Sequence, residues 1–239
     1  MPWLEPWHLK LRRRVRKPYN KLFHRNYFIA KYMGAQFLLA PSGIGSLEIS
    51  AGISEKPEIL HFMSRCRDLR PDQFIDIGSN IGMYACILLE NGCVPFATLF
   101  EPDRKNQSHL GANLLINGLL QSADIRPVAL GDINGSLCLL PGETDGGFSR
   151  IVSEPKNRAY EVAVRLLDDE LDASGKALAI KIDVEGFEQR VLNGMQRTLR
   201  QNRCLVQIEA FEPSGVFSFM DAAGYRLTKD FLPNYVFEN

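Results

Sequence analysis

Phe74-Ile75-Asp76-Ile77-Gly78-Ser79-Asn80-Ile81-Gly82 reads as a short buried strand, a tight glycine turn and the opening of a helix. Phe74, Ile75 and Ile77 are apolar and strand-favouring. Gly78 and Gly82 allow a sharp bend and a close backbone approach to a ligand. Met83 to Glu90 continues as a largely apolar helix that Asn91-Gly92 ends. A second strand, Ala97 to Phe100, runs into Glu101. That acid falls roughly 20 residues after the turn, the spacing at which a βαβ nucleotide site grips ribose hydroxyls.

A dinucleotide fingerprint requires G-x-G-x-x-G, whose middle glycine brings the pyrophosphate onto backbone. Here Asn80 stands between Gly78 and Gly82, so that glycine is missing. A ligand without a pyrophosphate does not need it. S-adenosylmethionine (SAM) has a ribose, an adenine and an amino-acid end, and Asp76 to Gly82 resembles the D-x-G-x-N-x-G turn of class I SAM-dependent methyltransferases. An ordinary ligand-free turn is the competing reading. The position of Glu101 favours the nucleotide site.

The chain has 239 residues, 45% hydrophobic and 23% charged, with zero formal net charge. This suits one α/β domain with an extension, and no global field argues for nucleic acid. The charge is uneven: Arg12, Arg13, Arg14, Arg16, Lys17, Lys21 and Arg25 crowd residues 1–26 beside Trp3 and Trp7. This basic arm reads as a solvated leader, as an anchor on an anionic membrane surface, or, with least support, as a nucleic-acid tail. The 5 cysteines are scattered without a C-x-x-C pair. They are expected to be buried free thiols of a reducing compartment, hence a cytoplasmic protein, peripheral to the membrane if the arm binds it. No apolar run reaches the length of a membrane span.

Residues 27–70 are expected to form a cap. It comprises a β-hairpin, with Phe37-Leu38-Leu39 and Leu47-Glu48-Ile49 flanking a turn at Pro41 to Gly45, and a helix from Pro57 to Leu69. Residues 71–239 form the main domain. Beyond Glu101 the pattern predicts a helix from Arg104 to Asn117, a strand from Asp124 to Leu130 and extra strands at Gly135 to Leu140 and Tyr160 to Leu166. A strand from Leu178 to Asp183, a helix from Glu188 to Gln201, a strand from Cys204 to Glu209 and a closing antiparallel pair follow. Alternating strands and helices give a mostly parallel sheet with helices on both faces. His109 is placed on an exposed helix face.

Taken together, four blocks resemble the FkbM-like SAM-dependent methyltransferases: Phe74 to Gly82; Phe100-Glu-Pro-Asp103 with Asn106, Leu110 and Asn113; Val128-Ala-Leu-Gly-Asp132; and Ile180-Lys-Ile-Asp-Val-Glu-Gly-Phe-Glu188 with Val191-Leu-Asn-Gly194. Ser79 and Phe187 depart mildly from the family pattern. The resemblance implies a Rossmann-like class I fold with a seven-stranded sheet, and methyl transfer to a hydroxyl oxygen of a sugar, glycolipid or secondary metabolite; if the basic arm binds an anionic bilayer, a lipid-linked sugar is the expected acceptor. It places Asp76, Gly78, Ser79, Asn80, Gly82, Glu101 and Asp132 around SAM, with Asp132 at the adenine amino group.

Lys181, Asp183 and Glu185 alternate with Ile182 and Val184, so all three share one side if the strand runs that far. Asp183 or Glu185 is the expected base, with Lys181 orienting it; an ion pair plus acids at a helix start is the plain structural alternative. A divalent ion on Asp183, Glu185 or Glu209 is another way to acidify a hydroxyl. Phe148, Ser149, Arg150 and Glu209 are weaker candidates for the acceptor. The segment Asp183-Val184-Glu185-Gly186 lacks the Pro-Pro-aromatic clamp for a flat base, which disfavours nucleic-acid methylation. A non-catalytic SAM- or lipid-binding module acting through the basic arm is the alternative to an enzyme. The sequence does not specify an oligomeric state.

Overall fold

The computed structural model describes residues 27–40, 44–142, 149–152 and 157–239. The basic arm and Phe148 lie outside the described residues.

Two strands, β1 (Phe28–Tyr32) and β2 (Ala35–Leu39), form a hairpin, followed by helices α1 (Ile44–Ala51) and α2 (Lys56–Leu69). Then come β3 (Gln73–Ile77), α3 (Met83–Glu90), β4 (Ala97–Phe100), α4 (Arg104–Ile116) and β5 (Ala123–Arg126). A second group comprises β6 (Ala129–Leu130), β7 (Gly135–Leu140), β8 (Arg150–Val152) and β9 (Tyr160–Arg165). After α5 (Leu167–Glu170) the chain makes β10 (Ala177–Ile182), α6 (Glu188–Asn193), α7 (Gln196–Gln201), β11 (Arg203–Glu209), α8 (Ser214–Ala222), β12 (Arg226–Asp230) and β13 (Asn234–Glu238).

The main sheet has seven strands in the order β12-β13-β11-β10-β3-β4-β5. It is mixed: β13 runs antiparallel to both neighbours, and the other pairings are parallel. One face packs Phe74, Leu99 and Ala179 against α2, α3, α4 and the hairpin residues Phe37 and Leu39. The other packs Ile180, Val206 and Phe237 against α6, α7 and α8. Helices therefore cover both faces, the arrangement a parallel sheet requires to bury its apolar strands. From β3 the chain steps outward through β4 to β5; from β10 it steps the opposite way. The reversal point between β3 and β10 opens a crevice at the carboxyl ends of the strands.

The hairpin turns at Met33-Gly34, both with positive φ, +47° and +94°, as a two-residue hairpin turn demands. Leu47-Glu48-Ile49 is not its second strand but part of α1. The expected strand Asp124 to Leu130 is also divided. Pro127 has no N–H to give a ladder, and the chain passes there from the main sheet into a separate four-stranded one, ordered β6-β9-β7-β8. The expected helix Glu188 to Gln201 is two helices. Asp168 captures the amides of Arg197 and Thr198 at 2.7 and 2.8 Å, which starts α7 afresh. His109 is half-buried rather than exposed: its ring nitrogen contacts the carbonyl of Leu38, and its ring meets Tyr27 edge-on at 5.6 Å. Among the described residues no helix is long and apolar enough to cross a membrane.

Candidate active site

The crevice is built on the bend after β3. Gly78 has φ +83°, and a Cβ there would lie 1.9 Å from the carbonyl oxygen of Asp183. Its glycine is thus required by the next strand's backbone, in addition to any ligand. The amides of Gly78 and Ser79 both donate to the Phe100 carbonyl, at 2.9 and 3.1 Å. Asn80 follows with φ +50°, a left-handed conformation that Asn tolerates.

That turn aims the Asn80 amide at Glu101, whose Oε2 accepts it at 2.7 Å while Oε1 accepts the Asp103 amide at 2.8 Å. Glu101 is 4% exposed. Burial pushes its carboxyl up to about 7, against the pull of the two amides. The Asn106 side chain also bonds this carboxyl, and the lone-pair capacity left over is open to a ligand.

Gly78, Asn80 and Glu101 line the cleft. Asp76, Ser79 and Gly82 stand behind it. The Ser79 hydroxyl donates back to the Asp76 carbonyl at 2.9 Å, and Gly82 abuts Leu110 at the start of α3. Asp132 is not on the cleft wall; it pairs with Arg190 at 3.8 Å. The far wall is apolar: Val128 and Leu130 from the second sheet's approach, Ile151, and Phe187 after β10. Nothing in the spacing marked this wall, because its members come from three separated segments.

Asp76, Lys181 and Gln207 stand in register on β3, β10 and β11, a polar row on the face covered by α3. Lys181 is 4% exposed; its Nζ donates to Asp183 Oδ2 at 2.7 Å and sits 4.8 Å from the Tyr84 ring centre. Burial works against its charge, but Asp183, Glu55 and Asp76 outweigh it and hold the ammonium firmly protonated. Burial lifts the Asp76 carboxyl to about 7, partly offset by Lys181. The Tyr84 hydroxyl donates to Glu55 at 2.9 Å and accepts from Gln207 at 2.7 Å. Glu55, Tyr84 and Gln207 are site-side residues that sequence reading missed. Tyr84 looks like one more apolar position of α3, and Glu55 has no neighbouring motif.

β10 ends at Ile182, so strand alternation does not orient Glu185. A turn does, with Glu185 at φ +53°. Asp183 and Glu185 both still reach the cleft. Glu209, ending β11, is raised to about 7 by burial and by the charge of Asp183. Ser149 lines the rim and donates to Asp103 at 2.5 Å; Arg150 is exposed nearby. Among the described residues no three His, Cys, Asp or Glu side chains are grouped to hold a metal ion.

A mostly parallel α/β sheet with an acid-anchored glycine bend at its reversal point is a Rossmann-like fold. The family model of the Methyltransferase FkbM domain matches residues 76–227, and the chain belongs to that family. It is 27% identical over 209 residues to Methyltransferase sdnD of Sordaria araneosa, covering 71% of this chain and 81% of that one. It is 28% identical over 186 residues to hexuronic acid methyltransferase AglP of Haloferax volcanii, covering 66% and 72%.

Among solved structures it is similar to Methyltransferase FkbM from Methylobacillus flagellatus, with TM-score 0.53 and 18% identity, covering 71% of this chain and 44% of that one. It is also similar to a Pyrococcus abyssi tRNA (uracil-54, C5)-methyltransferase in complex with S-adenosyl-L-homocysteine, with TM-score 0.50 and 11% identity, covering 90% and 43%. The chain spans less than half the length of each of these two structures. At such identities the likeness shows the fold alone.

Proposed function

We propose that this chain transfers a methyl group from SAM to a hydroxyl oxygen of a sugar, glycolipid or secondary metabolite. The observation that carries this reading is the buried Glu101 carboxyl, held by the Asn80 amide across the mouth of the crevice. Two buried atoms, Asp76 Oδ2 and Asn80 Oδ1, lack hydrogen-bond partners among the described residues. Unmatched acceptors of this kind fit an ammonium group, which brings donors and no acceptor. Glu101 suits a ribose diol, and the Val128, Leu130 and Phe187 wall suits a flat adenine. The relative named for a hexuronic acid supports a sugar as acceptor.

When bound, SAM supplies a methyl group already activated on a sulfonium. The chain's own task is to place the acceptor oxygen and remove its proton. Asp183 stands where β10 opens into the cleft, and Lys181 anchors its Oδ2. In this reading Asp183 accepts the hydroxyl proton, a base contribution of about 10²–10⁴ in rate. Lys181, fixed by burial and three carboxylates, orients Asp183 rather than donating a proton itself. Glu185 supports the acceptor side from its turn. If residues 1–26 hold the chain at an anionic bilayer, a lipid-linked sugar is brought to the same surface.

Isotope transfer from methyl-labelled SAM to a panel of hydroxyl-bearing sugars and lipids tests the reading, with calorimetry of SAM and S-adenosylhomocysteine alongside. Binding with transfer is the expected result. Absence of heat with both ligands would reject the SAM site; binding without transfer to any hydroxyl would reject the enzyme.

A further inference from the structure

Lys181 carries its charge on a flexible four-carbon stem, and such an ammonium settles where its surroundings put it. Three carboxylates pull on it: Asp183, Glu55 and Asp76. Asp76 stands in register with it on the neighbouring strand β3. Its Nζ nevertheless donates to Asp183 Oδ2, at 2.7 Å. Attraction to carboxylates in general does not single out that partner. The Tyr84 ring, whose centre lies 4.8 Å from Nζ, narrows the choice. The face of an aromatic ring attracts a cation, the more so away from water, and both side chains here are buried.

The ring is itself held in place. Tyr84 is the second residue of α3, directly after the glycine bend. Its hydroxyl donates to Glu55 Oε2 at 2.9 Å and accepts from Gln207 Nε2 at 2.7 Å, so the turn before α2 and strand β11 both grip it. The Gln207 amide also donates to Asn234 Oδ1 on β13, at 3.1 Å. The ring meets Phe62 of α2 edge to face, centres 6.1 Å apart. A residue that only filled the core would need no hydroxyl, and a buried hydroxyl is costly unless it is bonded. The two hydrogen bonds add no volume; they set the ring's position.

We propose that Tyr84 is a positioning residue: its ring, locked at the hydroxyl by Glu55 and Gln207, seats the Lys181 ammonium against Asp183 and so aims the carboxylate that takes the acceptor's proton. The proposal rests on the methyltransferase reading above. Tyr84 acts through Lys181 and touches no reacting atom.

The test uses the full chain and two readouts. In lysine-labelled protein, the NMR signals of the Lys181 ε-methylene, assigned by their loss in Lys181→Met, should be displaced upfield by the ring in wild type and Tyr84→Phe but not in Tyr84→Leu. Turnover of methyl-labelled SAM is then measured with the hydroxyl acceptor that the transfer panel returns. Tyr84→Leu should lower kcat by about tenfold or more and leave KM for the acceptor within about threefold. Tyr84→Phe keeps the ring and should restore kcat to within about threefold of wild type, although it strips two hydrogen bonds and lowers Tm. In the Lys181→Met background Tyr84→Leu should cost less than about twofold, because no ammonium is left to seat. If Tyr84→Leu does not melt cooperatively, pentafluorophenylalanine at position 84 takes its place. It keeps the shape of Phe, reverses the ring's quadrupole, and should turn over about tenfold more slowly than Tyr84→Phe. An unshifted Lys181 signal in wild type, an equal loss with and without Lys181, or a loss confined to KM overturns the proposal. So does Tyr84→Phe as slow as Tyr84→Leu, or a ring variant as fast as wild type. Absence of transfer by the wild type to every acceptor is a separate result, which rejects the parent reading and the proposal with it.

Discussion

At the scale of single residues, three proposed roles can be tested separately. Asp183→Asn keeps the shape and removes the proposed base, so turnover should fall by about 10²–10⁴ while SAM affinity in calorimetry stays within a small factor. Unchanged turnover would reject the base role. Glu101→Gln puts an amide where two backbone N–H groups now donate. One donor then faces a nitrogen instead of an oxygen, and SAM affinity should drop by about tenfold or more, the loss of a charge-assisted hydrogen bond. Gly78→Ala meets both a left-handed φ and the Asp183 carbonyl 1.9 Å away. A loss of at least about 3 kcal/mol in chemical denaturation is expected, with destruction of the cleft. Asp76, Gly78, Asn80, Glu101 and Asp183 could be picked out from the chain as written because turn chemistry and strand ends are local. Glu55 could not, since it becomes a neighbour of Lys181 only after folding.

At the scale of elements, the junctions matter more than the elements themselves. Asn113 on α4 is fully buried. Its side chain accepts the Leu38 amide at 2.8 Å and donates to the Ile81 carbonyl at 2.8 Å, so one residue ties the hairpin to the bend. Asn113→Ala would orphan both partners, at about 1–3 kcal/mol for each buried group. Denaturant unfolding should show that loss, and SAM affinity should weaken because the bend carries Asn80. Most element bounds were readable from period and punctuation; Met83 to Glu90 and Ala97 to Phe100 match the structure to the residue. The failures fall where a distant group intervenes, as when Asp168 restarts a helix, or where a single residue re-routes the chain, as Pro127 does. Arg65 joins α2 to the last strand by two bonds to Glu238, at 2.9 and 2.7 Å. No local pattern predicts such a clasp.

At the scale of the whole molecule, the site stores protons. Asp76 and Glu101 hold theirs up to about 7, whereas an unfolded chain releases them near pH 4. Between those values the native state binds more protons than the unfolded one, so stability falls as pH rises. It is greatest below the unfolded values and levels off above 7. Thermal melts of the free protein should therefore show Tm dropping from pH 5 to pH 7.5, by about 2–4 °C for each kcal/mol lost. A SAM ammonium beside Asp76 would draw its carboxyl down and flatten that slope. His61, held down by burial, works the other way over this window, so a Tm that climbs would mean that the upward displacement of the two carboxyls is smaller than this effect. Residues 1–26 supply a different test at this scale: removing them should reduce co-sedimentation with anionic vesicles, and equal pelleting would remove the anchor idea.

The amino-acid order alone determined the alternation of strand and helix, the glycine bend and the acid after the second strand. These rest on interactions within a few residues and on hydrophobic period. Family membership follows from the same local blocks. Tertiary structure decided what those blocks meet: which strands join the second sheet, that the Asp183 carbonyl leaves no room for a side chain at position 78, and that Glu55 reaches the Tyr84 hydroxyl beside Lys181. Such placements depend on chain segments far apart in sequence, and only packing and burial bring their charges within range of each other.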